Sequence, residues 1–539
     1  MEKTERKIPY LAEQGNKKVL MVNGKPFIML AGEVHNSNSS SAAYMEQVWE
    51  KAEKLGMNTL LLPVSWELIE PQEGVFDFSL VDGLIEQARE KGGKLGFLWF
   101  GSWKNAQCYY APEWVKADTA RFRRAEVVCG QNFCQLEHFY GMPYTSLSYL
   151  CAETRESDAR AFAALMAHIR DVDGEEHTVL TVQVENETGL MGSARERSKE
   201  SDALFAADVP GEFAAYMKAN TATMVPEIKA AVEGGAASGS WEEVFGNAAE
   251  ELFSAYHVAG YVNAVAKAGK EAYPLPMTVN CWLDKGGAPG SYPTGGPVSK
   301  VLEVWKYRAP AIDIFAPDIY IKEFADICDE MTRRYDNPLY IPECATHSYA
   351  GPRAVYCVGH YHAMCYAPFG FEDMGEEFSD VQAYLFGVDT EDPALKVPQN
   401  VEEYGWYNRT MQSMMPLLTS RYGTDGLQAV CSERKEEDTM LFGTFGFRVL
   451  TDTPMIRRKD SVCLIVRESE DTFYILANAC MVAFFSQDHE KPYAEIFSYE
   501  EGEFRDGVWK AGRRLNGDEA ASLKFEKPQL RKIRLHAFE

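Results

Sequence analysis

An α/β fold, a (β/α)8 TIM barrel followed by a small C-terminal all-β sandwich domain, is predicted by three features of this sequence. From Lys18 to about Arg421, short apolar runs alternate with amphipathic stretches, the signature of parallel strands joined by helices. Two of those runs end abruptly in carboxylates: Thr178 to Val184 leads into Glu185-Asn186-Glu187, and Pro338 to Pro342 leads into Glu343. A buried parallel strand looks like this where it breaks out into a loop. After Arg421 the texture changes to brief β-rich runs between charged or Gly-containing turns, as in a sandwich. The division expected is a barrel with a short N-terminal β lead-in over 1–420 and the β domain over 421–539. A chain of 539 residues is long enough for both.

The barrel elements follow in order. Phe27 to Gly32 reads as a strand and Ala42 to Leu55 as a helix, with apolar positions at helical spacing. Asn58 to Val64 is a strand, Leu80 to Lys91 a helix, and Lys94 to Phe100 a strand. The stretch from Gly101 to about Arg155 is rich in Tyr, Trp, Cys and Pro and too long for an idle connection, so it reads as a binding loop. Ser157 to Val172 is a helix with Ser157 as its expected N-cap, and Thr178 to Val184 is strand four. Two helical segments fill Pro210 to Gly269, and Leu275 to Cys281 is a strand. A helix over Lys300 to Tyr307, a strand over Ile312 to Ala316, a helix over Ile321 to Arg334 and a strand over Leu339 to Pro342 come next. A last strand near Ala363 to Tyr366 and a helix from Val401 to Ser420 close the barrel. In the β domain Met440 to Phe442, Val462 to Val466, Thr472 to Leu476 and Ile496 to Tyr499 read as strands.

Composition excludes several classes of function. Lys+Arg 54 against Asp+Glu 80 gives a net charge of −26, a poor surface for nucleic acid or anionic membrane. The charged N-terminal segment has no apolar core of a secretory signal behind it, and no apolar run reaches the length of a membrane span. The 12 cysteines form no paired framework, which suits reduced thiols and a cytoplasmic location. Cys129 and Cys134 lack the second close pair of a zinc site. No metal-ligand cluster, phosphate loop or dinucleotide fingerprint is present, so no cofactor is expected. The partner expected is a small carbohydrate; whether the chain forms a homo-oligomer stays open.

Two carboxylates at the ends of two strands suit glycosidic bond cleavage. One protonates the departing oxygen while the other attacks or stabilises the oxocarbenium-like carbon. Glu187 is the candidate acid and Glu343 the candidate nucleophile, at the closer spacing of a retaining pair, about 5–5.5 Å. A strand-end Glu is otherwise an ordinary cap or ion-pair partner; the pairing favours chemistry. Trp99, Trp103 and Trp282, at or just past strand ends, are candidates for a sugar platform, against an equal expectation of plain packing. Asn280 is a candidate sugar contact; Glu33 and His35 are candidates for outer hydroxyls, and His347 for the mouth. Phe369 and Phe371 are candidates for the aglycone side.

The run Val182-Gln183-Val184-Glu185-Asn186-Glu187 resembles the Q-x-E-N-E signature of the family 35 glycoside hydrolases, mostly β-galactosidases, in the clan of retaining (β/α)8 glycosidases. The likeness extends to Asn23-Gly24-Lys25-Pro26-Phe27, Ala31-Gly32-Glu33-Val34-His35 and the stretch from Ser65-Trp66 through Glu70-Pro71 to Phe76-Asp77-Phe78. It is nearest to the bacterial branch with a compact C-terminal β domain. The resemblance implies that Glu187 is the acid/base, Glu343 the nucleophile, Asn186 a donor to the sugar's 2-hydroxyl, and Tyr320 a hydrogen-bond partner of the nucleophile. It implies a retaining exo-β-glycosidase, first a β-galactosidase, with β-glucosidase or transglycosylase action on the same scaffold as the second expectation and a non-catalytic carbohydrate-binding protein as a distant third. The chain departs from the family at His177 to Leu180, where Gly-Gly-Pro is usual, and at Thr188, usually aromatic. Gly101-Ser102-Trp103 stands for Ala-Glu-Trp, and Pro63 for a tyrosine, so the catalytic pair carries over more fully than the choice of sugar.

Overall fold

The computed structural model describes residues 8–135, 143–332, 337–377, 379–380, 383, 396–434, 438–451, 460–505 and 507–539. The chain forms two compact units: a first of Asn36–Met45 and Leu61–Asp318, and a second of Met1–His35, Glu46–Leu60 and Ile319–Glu539. The parallel strands are one (Met29–Glu33), two (Thr59–Ser65), three (Lys94–Phe100), four (Val179–Val184), five (Met277–Cys281) and six (Ile314–Ile319). Strand seven is split at Pro342 into Tyr340–Ile341 and Glu343–Cys344, and strand eight is Cys365–Tyr366. The order through the sheet is first half of seven, eight, one, two, three, four, five, six, second half of seven. An order that begins and ends on one strand is that of a (β/α)8 barrel.

Within the first unit, strands four and five are buried along their whole length, which is why they read as continuous apolar runs rather than alternating ones. Trp99 of strand three pairs with Val184, Thr278 of strand five pairs with Gln183, and Asn280 pairs with Ala316 of strand six. Outside them, helices Ala152–Asp173 and Ala249–Ala272 pack closely. A Cβ at Gly269 would stand 2.3 Å from the Phe162 ring, so glycine sets the approach of these two helices. The first of them starts at Ala152, with Cys151 as N-cap, and Ser157 is a buried residue of its second turn. The polar run Glu153 to Glu156, with Thr154 buried and the two glutamates exposed, is therefore helix and not the end of the loop it resembles in sequence. From Pro210 to the start of strand five lie four α-helices rather than two, Gly211–Ala219, Pro226–Gly234, Trp241–Phe245 and Ala249–Ala272, and a further helix, Lys199–Ala206, precedes them.

In the second unit, strands Tyr10–Gln14, Lys17–Val22 and Lys25–Phe27 form the lead-in. The β domain stacks a six-stranded on a four-stranded antiparallel sheet. Residues of strand Val462–Arg467 alternate in destination: Cys463 and Ile465 join Phe447, Phe473 and Phe525 in the sandwich core, while Val462, Leu464 and Val466 face Val355, Tyr356 and Val358. Both faces of that strand are covered, so its period-2 pattern is hidden in an unbroken apolar run. Arg353, 2% exposed, donates to both carboxylate oxygens of Glu433 at 2.6 and 2.9 Å. Among the described residues no helix is long and apolar enough to cross a membrane.

Candidate active site

Strand four ends in a tight turn whose backbone is unusual. Glu185 and Glu187 both have left-handed φ, 62° and 45°, with Asn186 between them. Non-glycine residues there cost on the order of 1–3 kcal/mol each and persist only where the surroundings hold them. Here the holding groups are visible. Glu185 Oε2 accepts from the Trp103 N–H at 2.8 Å, and the Asn186 N–H donates to the Trp103 carbonyl at 3.3 Å. Lys104 Nζ donates to Asn186 Oδ1 at 2.9 Å, and the Ala106 N–H donates to the Glu187 carbonyl at 3.0 Å. On the other side the Glu187 N–H donates to Asn280 Oδ1 at 2.8 Å, and Asn280 Nδ2 donates to Asp318 Oδ2 at 2.8 Å. The segment 103–107 and strand five thus clamp the turn, and Asn186 and Glu187 are 0% and 6% exposed.

Beneath the turn lies a buried pair of carboxyls. A Cβ at Gly101 would stand 2.7 Å from both Asp158 Oδ1 and Glu185 Oε1, and 2.4 Å from Trp99 Nε1, which explains glycine at that position. Asp158 accepts from Trp99 Nε1 at 2.9 Å and from the Ser102 hydroxyl at 2.7 Å, and Tyr261 donates to it at 3.2 Å. Burial, followed by the neighbouring Asp158 charge, holds the Glu185 carboxyl well above its ordinary value of 4.5. The folded protein therefore keeps a proton that the unfolded chain releases, and this contribution to stability is lost as pH rises from 4.5 toward the raised value. Glu185→Gln removes the titration while keeping a hydrogen-bond donor toward Asp158. The melting temperature of that variant relative to the parent is expected to rise from pH 5 to pH 8; a constant difference contradicts this.

The second unit supplies its own group of side chains. Tyr320 donates to Glu343 Oε2 at 2.6 Å, and Glu343 is 5% exposed at the start of the second half of strand seven. Glu33 is fully buried at the end of strand one, its backbone paired with the segment around Phe369. His35 binds Asp373 at 2.8 Å and meets the Phe369 ring edge-on, whereas Phe371 is core.

Trp103, Asn186, Glu187 and Asn280 are thus brought together in one unit, and Tyr320 and Glu343 in the other. Trp282 is half-buried just past strand five. Trp99 and His347 have other work. The Trp99 indole is fully buried, turned toward the helical layer against Phe162 at 5.6 Å, and spent on Asp158. His347 is fully buried, with Nε2 facing Arg353 at 3.3 Å and Nδ1 accepting from the Tyr349 N–H at 3.3 Å. Burial, then the Arg353 charge, keeps that ring neutral, well below its usual pKa.

Lys104, Asp318 and Asp158 are site residues that sequence reasoning passed over. Asp318 carried a signal, a carboxylate inside the apolar strand Ile314–Ile319. Lys104 and Asp158 carried none, since their partners lie 82 and 59 residues away along the chain.

Residues 19–94 match the model of glycosyl hydrolases family 35, and residues 407–525 match a domain of unknown function, DUF5597. A curated β-galactosidase of Xanthomonas manihotis is 39% identical over 71 residues, which are 13% of this chain and 11% of that protein. This chain thus spans about a tenth of the curated relative it matches. Among solved structures, a β-galactosidase from Bacillus circulans sp. alkalophilus aligns at 14% identity and TM-score 0.46, over 72% of this chain and 56% of that one. A β-galactosidase from the psychrophilic Marinomonas ef1 aligns at 12% and TM-score 0.46, over 74% and 61%.

Proposed function

We propose that this chain, which resembles the glycosyl hydrolases of family 35, is a retaining exo-β-glycosidase. Its first expected activity is that of a β-galactosidase, releasing terminal β-galactose from oligosaccharides or glycosides. In this reading Glu343 attacks the anomeric carbon, and Glu187 gives its proton to the departing oxygen. A covalent glycosyl-enzyme forms, and Glu187, now a base, activates the water that releases the sugar. The observation that carries the reading is the Tyr320 hydroxyl at 2.6 Å from Glu343 Oε2, a donor that fixes the direction of the carboxylate. The position of each carboxylate at or just past the C-terminal part of its own parallel strand supports it as well.

The choice of sugar has a second reading. Ser102 stands where a typical relative carries a carboxylate for galactose, and its hydroxyl is turned inward on Asp158 at 2.7 Å, fully buried. That favours a sugar needing no such contact, with glucose first. A panel of aryl β-galactoside, β-glucoside, β-xyloside, β-fucoside and α-arabinoside, with and without an acceptor sugar, separates these activities from glycosyl transfer. Binding of galactosides without release of aryl alcohol from any of the panel overturns the enzyme reading in favour of a carbohydrate-binding protein.

A further inference from the structure

We propose that Lys104 is a positioning residue for hydrolysis: its ammonium fixes the side-chain amide of Asn186 so that the N–H groups, not the carbonyl, face the 2-hydroxyl of the sugar. This rests on the proposed function, in which Asn186 meets that hydroxyl. The geometry is local and built. Lys104 Nζ lies 2.9 Å from an amide heavy atom of Asn186. An ammonium has three donors and no acceptor, so that atom is the oxygen, and the opposite orientation would set NH2 against NH3+. Both residues are buried, Lys104 at 6% and Asn186 at 0% exposure, so bulk water is poorly placed to stabilise a flipped amide.

Lys104 is itself held in place. Its N–H donates to the Gln107 carbonyl at 2.8 Å and its carbonyl accepts from the Gln107 N–H at 3.0 Å, while the ammonium lies 5.2 Å from the Phe100 ring centroid. The same segment binds both residues flanking Asn186: Trp103 takes Glu185, and Ala106 takes the carbonyl of Glu187. The orientation of the amide is therefore set before substrate arrives. A charge-assisted bond to the carbonyl also polarises the amide and strengthens its N–H groups as donors. Hydrogen bonds at the 2-hydroxyl strengthen in the transition state of glycoside hydrolysis, so the orientation should appear in the transition state more than in binding.

The test compares 4-nitrophenyl β-galactoside with its 2-deoxy analogue, as the ratio of kcat/KM for the two. In the parent the 2-hydroxyl is expected to contribute a factor on the order of 10² beyond the intrinsic reactivity difference. Asn186→Ala should remove most of that factor. Lys104→Met should lower the ratio about tenfold or more with little change in KM for the full substrate, and Lys104→Arg should restore it. Lys104→Leu repeats the test should the Met variant not fold. Equal loss on both substrates in Lys104→Met, with the ratio of Asn186→Ala reduced, overturns the positioning role and leaves the proposed function standing. A parent ratio unchanged in Asn186→Ala overturns the assumed 2-hydroxyl contact, and the inference with it.

Discussion

Glu343→Ala is expected to lower kcat/KM for aryl β-glycosides by a factor on the order of 10⁴ or more, with the protein folded as the parent. In the proposed mechanism no other group can form the glycosyl-enzyme, and the loss should be as large for activated leaving groups as for poor ones. The side chain is 5% exposed and takes the Tyr320 hydroxyl, so truncation leaves that hydroxyl without its carboxylate but removes no apolar packing. Near-parent activity in purified Glu343→Ala contradicts the assignment.

Glu187→Ala should behave differently, and the difference separates the two roles. A natural glycoside needs its leaving oxygen protonated, so turnover should fall about 10²–10⁴-fold. An aryl glycoside with an acidic phenol leaves without that proton, so the first step survives and water attack becomes limiting. Azide, which needs no base, should then restore turnover and yield a β-glycosyl azide. The mutation leaves the backbone clamp intact, because the contacts at 187 with Asn280 and Ala106 are made by the peptide N–H and carbonyl. Absence of azide rescue, or rescue of Glu343→Ala to the β-azide in its place, contradicts the division of labour.

The parts of this site that were legible in the sequence are those in which the signal is local. A β-branched run stopped by Glu-Asn-Glu and Gly, and a second stopped by Glu343, describe strand ends without knowledge of any neighbour. The clamp around them was not legible. The left-handed Glu185 and Glu187 are sustained by Trp103, Lys104 and Asn280, and nothing in the spacing of these residues announces their meeting. Trp99 illustrates the opposite error: at the end of an apolar strand its indole reads equally as a platform or as packing, and only Asp158 on the facing helix decides. In the β domain, Val508–Arg514 is mostly exposed, carries Lys510, Arg513 and Arg514, and so lacks an apolar face to find, although it pairs with Tyr493–Arg505 across a bulge.

In the proposed mechanism Glu343 is the attacking group of a retaining enzyme. Incubation with an activated 2-deoxy-2-fluoro-β-galactoside, followed by intact mass and peptide mapping, reads this directly. A single fluoroglycosyl adduct on the peptide ending strand seven, carried by Glu343 and slowly released by an acceptor sugar with net retention, is the predicted result. An adduct on another residue, or turnover with inversion and no adduct, contradicts it.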